Sequence, residues 1–384
     1  MRTLIFIGLL ISGSMQGQQL MSLDSCLAMM RNHSALLKAE TSRSNAEMAR
    51  AKGAIDLPAP QIYLESPTSQ FMTPGITQTF AFPTVYRLQY KQAKTLTQKS
   101  QVDLSLKMAD MESQVMASYY RVAYHRSRLR LLNERDSLNQ ALRASVITLH
   151  AQGLVGSLAK DMAELKVAEL KSELLMTAQE LAMARLELSQ WCGLQGQWET
   201  DLLENLPLAS QEERTGGLFL QSRALELEKA KRDVQLAKNK ALPGLMAGYL
   251  NQGQRNSAVE LRWQFGITLP IWWWQHKAEI SSAKHAYSAA TAQLQFEEEQ
   301  QIQLLSNAYN YRALLEQELE QYQTLSAEHL QTLVKDTERL FGAGELSFAE
   351  FSLYIEQTFS GRENYIKLLH EYHALSTLIY FNQQ

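Results

Sequence analysis

Two stretches of this chain contain no helix breaker. Neither proline nor glycine occurs from Thr84 to Gln152, and neither occurs from Ile271 to Phe341. Proline removes a backbone donor and clashes with the preceding turn, and glycine surrenders the most backbone entropy, so these are the residues that end helices. Both stretches are instead rich in Ala, Leu, Gln, Glu, Lys and Met, the strong helix formers. A helix that long would reach about 100 Å at about 1.5 Å per residue. Globular helices average about a dozen residues, so the chain is expected to build long helical hairpins or a coiled coil. The apolar spacing agrees: Leu104, Met108, Met111, Val115, Tyr119 and Val122 step by three and four, and Leu129, Leu132, Leu142, Val146 and Leu149 extend the stripe with interruptions. An ordinary bundle whose loops merely lack glycine and proline is the plainer alternative.

Each stretch ends in a glycine-bearing turn. The first tip, about 153–157, reads Gly153-Leu154-Val155-Gly156-Ser157; the second, about 342–347, reads Gly342-Ala343-Gly344-Glu345-Leu346-Ser347. Helix-forming sequence resumes at once after both. Ser347 with Glu350 spells the S-x-x-E capping box that starts a helix.

Before each long helix the texture changes. The segments 58–83 and 243–270 hold every proline except Pro207. Glu260 to Leu269 alternates strictly: Glu260, Arg262, Gln264, Gly266 and Thr268 lie on one side, and Leu261, Trp263, Phe265, Ile267 and Leu269 on the other. A period of two predicts a strand with one apolar and one wet face. Gln61 to Glu65, Ile76 to Phe82 and Met246 to Asn251 give weaker strand signals, with Gln78 breaking the alternation in its segment. Asn251 to Ser257 reads as a polar turn joining two strands.

The order strand, strand, long helix, tip, helix occurs twice. Pro58 aligns with Pro243, Pro83 with Pro270 and Ser157 with Ser347, at offsets of roughly 185–190 residues. The expected layout is therefore a first repeat over 19–192, a linker over 193–217 and a second repeat over 218–384. Ahead of these, residues 1–18 read as a secretory signal peptide, with Arg2, the apolar run Leu4 to Ile11, and then small and polar residues. Cys26 follows polar SLDS, without the context of a lipid attachment site.

Composition closes off other classes. Lys and Arg number 37 against 40 Asp and Glu, which leaves no broad basic field for nucleic acid. No apolar run is long enough for a membrane-spanning helix. A strand of about ten tilted residues, however, suits an outer-membrane barrel. Such a sheet must close, because open edges leave backbone groups unpaired in hydrocarbon. The strands of one chain fall short of the smallest barrels, of about eight. Copies must pool strands, and three copies would supply about twelve. Leu261, Trp263, Phe265 and Ile267 would then face lipid, with Glu260, Arg262, Gln264 and Thr268 lining water. Trp272, Trp273 and Trp274 fit either an interfacial aromatic belt or a packed junction between barrel and helix.

The turn Gly153-Leu154-Val155 with Ser157, the turn Gly344-Glu345-Leu346-Ser347 and the stretch Phe82-Pro83-Thr84-Val85-Tyr86 together resemble the TolC-type outer-membrane efflux proteins over nearly all of the chain beyond residue 18. The resemblance implies a mainly α fold with a small β part: a transmembrane β-barrel of four strands per protomer in a homotrimer, continued by a long periplasmic α-helical tunnel. It implies a passive duct that docks to a periplasmic adaptor (membrane fusion) protein and an inner-membrane transporter of the RND type. The Phe82–Tyr86 and Leu269–Trp274 stretches look most like the heavy-metal (CusC/CzcC-like) branch, so metal ions or small toxic compounds are the expected cargo. In the family the tips touch the adaptor; the matching positions are Gly153, Leu154, Val155, Gly344, Leu346 and Ser347. The plainer alternative is that these residues only fold the hairpins. Acidic residues near the second tip ring the tunnel mouth in the family. Glu350 matches one such position, where a capping role is as good a reading, and the next acidic position falls on Leu353.

Catalytic signatures are lacking: no P-loop, no G-x-G-x-x-G, no C-x-x-C, no nucleophile with a base. No enzyme activity, cofactor or metal is expected. His370 and His373 are read as part of a solvated helix face, Glu297-Glu298-Glu299 likewise, and Cys26 and Cys192 as small buried side chains. The competing functions are the outer-membrane component of type I protein secretion, a non-transport periplasmic coiled-coil scaffold, and an exported enzyme on a helical frame.

Overall fold

The computed structural model describes residues 19–66, 72–208, 217–251, 262–324 and 327–383. The expected signal peptide therefore lies outside the described residues, as do Glu260, Leu261 and all of the 251–257 turn except Asn251. In chain order the elements are β1 (Gln19–Met21), α1 (Leu23–His33), α2 (Ala35–Lys52), β2 (Gln61–Glu65), β3 (Thr73–Phe80), α3 (Pro83–Ala151), α4 (Ser157–Cys192), β4 (Trp198–Thr200), α5 (Leu218–Lys240), β5 (Gly244–Leu250), β6 (Trp263–Thr268), α6 (Trp273–Thr324), α7 (Ala327–Gly342) and α8 (Phe348–Gln383). No described helix is long and apolar enough to cross a membrane.

The first breaker-free stretch is one helix, α3, of 69 residues. It opens on Pro83, where the missing N–H goes unused and the fixed φ suits the first turn. The second stretch carries two helices, α6 and α7, with residues 325–326 between them outside the described residues.

The chain divides into two compact units. One unit comprises residues up to Ser34, Glu112–Gln211 and Tyr309–Leu378. Its core is a continuous apolar cluster that includes Leu131, Leu142 and Val146 of α3, Ala163 of α4, Leu315 and Leu319 of α6, and Phe351, Ile355, Phe359 and Ile366 of α8. The predicted stripe is buried here at Val115, Tyr119, Val122, Leu132, Leu142 and Val146. A two-stranded parallel ladder joins β1 to β4, pairing Gln19 with Trp198 and Met21 with Thr200. The Tyr119 hydroxyl donates to the Met21 carbonyl at 3.2 Å and ties that ladder to α3.

The other unit comprises Ala35–Met111, Glu212–Ala308 and residues from Ile379 onward. Its helices meet through small and polar groups. Ser44 of α2 and Ser100 of α3 share a hydroxyl hydrogen bond of 2.9 Å, and both are buried. Lys99 of α3 pairs with Glu226 of α5 at 3.2 Å, and Arg223 of α5 with Glu297 of α6 at 2.8 Å. Glu297 is therefore half-buried and paired, unlike its exposed neighbours Glu298 and Glu299 and contrary to a wholly solvated face.

This unit also holds an antiparallel sheet in the order β2-β3-β5-β6. The register pairs Ile62 with Ile76, Ile76 with Tyr249, Tyr249 with Trp263, Phe80 with Leu245, Leu245 with Ile267 and Ala247 with Phe265. Paired residues share a face, so one face is almost wholly apolar. Gln78 is its polar exception, and its side-chain amide is satisfied by donation to the Pro58 carbonyl at 3.0 Å. The opposite face carries Gln61, Thr77, Gly248 and Gln264 in one row and Thr79, Met246 and Gly266 in another.

Small residues on that second face have a steric cause. A Cβ on Gly248 would sit 2.6 Å from Thr77 Cγ2 and 3.1 Å from the Ile76 carbonyl oxygen. Glycine there lets neighbouring strands close in on one another. Gly248→Val is expected to disrupt the sheet, read as loss of thermal stability and of strand signal by circular dichroism; Gly361→Ala, inside α8 with open space around it, lowers neither and raises thermal stability.

Candidate functional site: the helix tips and the apolar sheet face

Both tips end their helix in the same way. Gly153 has φ +73° and Gly344 φ +76°. At the first, Gly153 N donates to His150 O and Leu154 N to Leu149 O, each at 2.9 Å. At the second, Gly344 N donates to Phe341 O at 3.0 Å and Glu345 N to Leu340 O at 2.9 Å. This paired pattern with a left-handed glycine is the Schellman motif, which satisfies the last free carbonyls of a helix. Gly156, with φ −74°, precedes α4 without a side-chain cap.

Ser347 and Glu350 form the capping box that their spacing predicts. The Ser347 hydroxyl accepts from Glu350 N at 3.2 Å, and the Glu350 carboxylate accepts from Ser347 N at 2.9 Å and from the hydroxyl at 2.7 Å. The Ser347 hydroxyl, and after it the Ser347 N–H, hold the Glu350 carboxyl below its ordinary range.

The predicted tip residues divide by exposure. Leu154 is 68% exposed, whereas Val155 and Leu346 are half-buried and Val155 packs against the core of its unit. Beyond the turns, Leu158, Met162 and Leu165 of α4 and Leu353 of α8 are also exposed and line a groove of about 920 Å³ between the two helix starts. Sequence reasoning missed Leu158, Met162 and Leu165, because they have the spacing of an ordinary core stripe; the stripe that α4 buries runs through Ala163, Val167 and Leu170.

Charges fasten the same helices behind the tips. Glu356 of α8 pairs with Arg135 of α3 and, at 3.1 Å, with Lys166 of α4. Burial opposes its charge, but the hydrogen bonds from Arg135 and Lys166 outweigh burial and hold the carboxyl below its usual range. Arg128 of α3 reaches Glu173 of α4 at 2.9 Å and Glu363 of α8 at 3.1 Å, and Arg362 of α8 reaches Glu134 of α3 at 2.7 Å.

The two α8 histidines are not on a solvated face. His373 is 0% exposed and stacks on Tyr120 of α3, ring centroids 4.3 Å apart; His370 stacks on Tyr124 at 4.5 Å. The i, i+3 spacing presented both rings to α3 rather than to water. Burial pushes both imidazoles down to about 4, with the neighbouring His125 adding to the effect at His370 and His370 to that at His373. Among the described residues, no group of three or more His, Cys, Asp or Glu side chains is arranged to hold a metal ion.

The sheet face is the second candidate site. Phe265 is 80% exposed, Ile62 79% and Trp263 55%, with Leu64 and Ile267 exposed as well. Of the predicted lipid-facing residues, Trp263, Phe265 and Ile267 lie on this one face; Leu261 and the predicted lumen residue Glu260 lie outside the described residues. Gln264 and Thr268 lie on the opposite face, while Arg262 precedes β6 and donates to the Tyr249 hydroxyl at 3.4 Å. Leu269, Ile271, Trp272, Trp273 and Trp274 are exposed too, and Trp272 and Trp274 meet edge to face at 5.0 Å. An exposed tryptophan cluster is not a packed junction within the chain.

Two outcomes follow. Alanine at Gly344 must adopt the left-handed region, so Gly344→Ala is expected to cost about 1 kcal/mol, whereas Gly156→Ala is neutral; chemical denaturation measures both. Unfolded imidazoles titrate near 6.5, above their folded values. The unfolded chain therefore binds more protons between pH 6.5 and about 4, and stability falls as the pH drops through that window. His373→Leu should flatten the decline in thermal midpoint between pH 7 and pH 4.5.

No protein-family model matches the sequence, and no curated protein matches it. Solved structures do. The chain aligns with the CusC transmembrane channel at 15% identity and TM-score 0.76, covering 94% of this chain and 91% of that one. It aligns with the Campylobacter jejuni CmeC outer membrane channel at 13% identity and TM-score 0.75, covering 94% and 85%. It aligns with the outer membrane protein VceC of Vibrio cholerae at 12% identity and TM-score 0.73, covering 94% and 95%. Over 94% of its length, the chain has the fold of the TolC-type outer-membrane channels.

Proposed function

We propose that this protein is the outer-membrane duct of a tripartite efflux system, with its helices in the periplasm. The observation that carries the reading is the apolar face of the β2-β3-β5-β6 sheet, exposed on a fold shared with outer-membrane channels. In water that face would be a severe liability; in a bilayer it is the required lipid surface. The sheet's outer strands, β2 and β6, are its two edges, and in hydrocarbon such edges must be paired. Three copies would join edge to edge into about twelve strands, a width that leaves an aqueous lumen lined by the Gln264 and Thr268 face. The exposed Trp272 to Trp274 cluster would sit at the membrane boundary as an aromatic belt.

The element order α2, β2, β3, α3, α4 is echoed by α5, β5, β6, α6–α7, α8, and we read it as an internal repeat, each half supplying one strand pair and one helical hairpin. The exposed Leu154, with Gly153, Val155, Gly344, Leu346 and Ser347 shaping the turns, would meet a periplasmic adaptor. That adaptor in turn would serve an inner-membrane pump of the RND type. Glu350, exposed and charged, would stand at the tunnel mouth while capping α8. Transport would be passive, without catalysis by this chain, and metal ions or small toxic compounds are the proposed cargo. A purely periplasmic scaffold would leave the apolar sheet face without a role.

The discriminating experiment compares adjacent residues on opposite faces. Phe265→Arg should block accumulation in the outer-membrane fraction, because a basic side chain on the lipid face near mid-bilayer costs about 2–4 kcal/mol. Gln264→Arg should still insert and should change single-channel conductance in planar bilayers. Normal insertion of the Phe265→Arg protein, or a wild-type protein that stays in solution without detergent and conducts no current, would overturn the reading.

A further inference from the structure

The chain has two cysteines, and both are buried: Cys26 is 0% exposed and Cys192 1%. Each sits in a segment that the fold holds against the other. Cys26 lies in the first turn of α1, capped by the Ser22 hydroxyl, which accepts from Ser25 N at 3.2 Å. Cys26 and Met30 are the buried residues of α1. Cys192 is the last residue of α4 and ends a buried stripe of Leu181, Ala184 and Leu188. The flanking strands lock the register: β1 just before α1 pairs in parallel with β4 just after α4. At the far end of α1, a Cβ on Gly193 would lie 3.8 Å from His33 Cβ, so α1 packs along the α4 terminus. Between these fixed points both thiols are free and buried, and each is the chief influence on the other, drawing Cys26 down and pushing Cys192 up.

We propose that Cys26 and Cys192 are a disulfide site, closed in the exported protein to fasten α1 to the end of α4. The proposal rests on the outer-membrane reading for its oxidant, because an exported chain meets an oxidising compartment. The oxidant is a thiol–disulfide oxidoreductase in its disulfide form. Before α1 docks either cysteine can open the exchange; when Cys26 does, its deprotonated thiol is the attacking group. Its thiolate attacks one oxidoreductase sulfur and releases the other as a thiolate. Cys192 then gives up its proton and attacks Cys26 in the mixed disulfide, expelling the second oxidoreductase thiolate. The cysteine pair loses two electrons and two protons, and the oxidoreductase disulfide is reduced to a dithiol. Both sulfurs are buried in the folded unit, so the exchange belongs to folding, before α1 docks. With two cysteines in the chain, one intramolecular pairing exists.

The test uses the wild-type full chain expressed in its host, with cells acid-quenched, denatured and treated with a maleimide–polyethylene glycol, alongside membrane fractionation. The expected result is no added label without reductant, two labels after reductant, and a Cys26–Cys192 linked peptide by mass spectrometry. Two labels without reductant, or a disulfide-linked dimer on a non-reducing gel, would overturn the proposal. A chain in the outer-membrane fraction with two free thiols defeats the disulfide and leaves the duct reading standing. A chain with the bond formed but absent from that fraction does the reverse.

Discussion

A β-sheet with one apolar face and, among the described residues, two unpaired edges is not a finished object. Its backbone groups at β2 and β6 need partners, and its Ile62, Phe265 and Ile267 side chains need a surface other than water. In a soluble sandwich a second sheet or a helix would cover such a face. Here it stays exposed, and the proposed closure with further copies inside a bilayer would answer both needs at once. The glycines of the opposite face fit the same demand, since Gly248 leaves room where a side chain would collide with Thr77. The proposed assembly, membrane location and conduit role all descend from this sheet.

The helices solve a different problem. Long helices need packing along their length, because propensity alone contributes little. In the unit that contains the tips, the need is met by a continuous apolar cluster from α3, α4, α6 and α8 and by aromatic stacking of His370 and His373 on tyrosines. In the sheet-bearing unit it is met by close polar contacts such as Ser44 with Ser100. Arg128 and Glu356 add ion pairs that each bridge three helices. At the turns the chain uses one device twice, a left-handed glycine that closes the helix with two backbone hydrogen bonds. That closure needs no side chain from the turn, and Leu154 beside the first glycine stays exposed.

Much of this was legible in the sequence because it is local. A stretch without glycine or proline reads as helix, and α3 spans the first such stretch almost residue for residue. The Ser347–Glu350 box and the glycine tips are governed by spacing within one turn, and they formed as their spacing requires. Strand alternation from 263 to 268 predicted the two faces of β6, and even the misfit Gln78 proved to be a polar residue on an apolar face. His373 was misread because i, i+3 spacing fixes which residues share a helix face but not whether that face meets water or α3. Leu158, Met162 and Leu165 were missed for the same reason.

By itself, the amino-acid sequence determined where the long helices and the strands of the four-stranded sheet lie, where the helices turn and which side chains travel together, since these depend on neighbours within a few residues; the short β1 and β4 carry no such local signal. Only the tertiary structure decided which shared faces are covered. It buried the α8 histidines against tyrosines, bared one side of the sheet, opened a groove beside the tips and laid α1 against the end of α4. Those outcomes depend on register between segments far apart in the chain, such as β1 with β4 and β3 with β5, and no local pattern encodes such pairings.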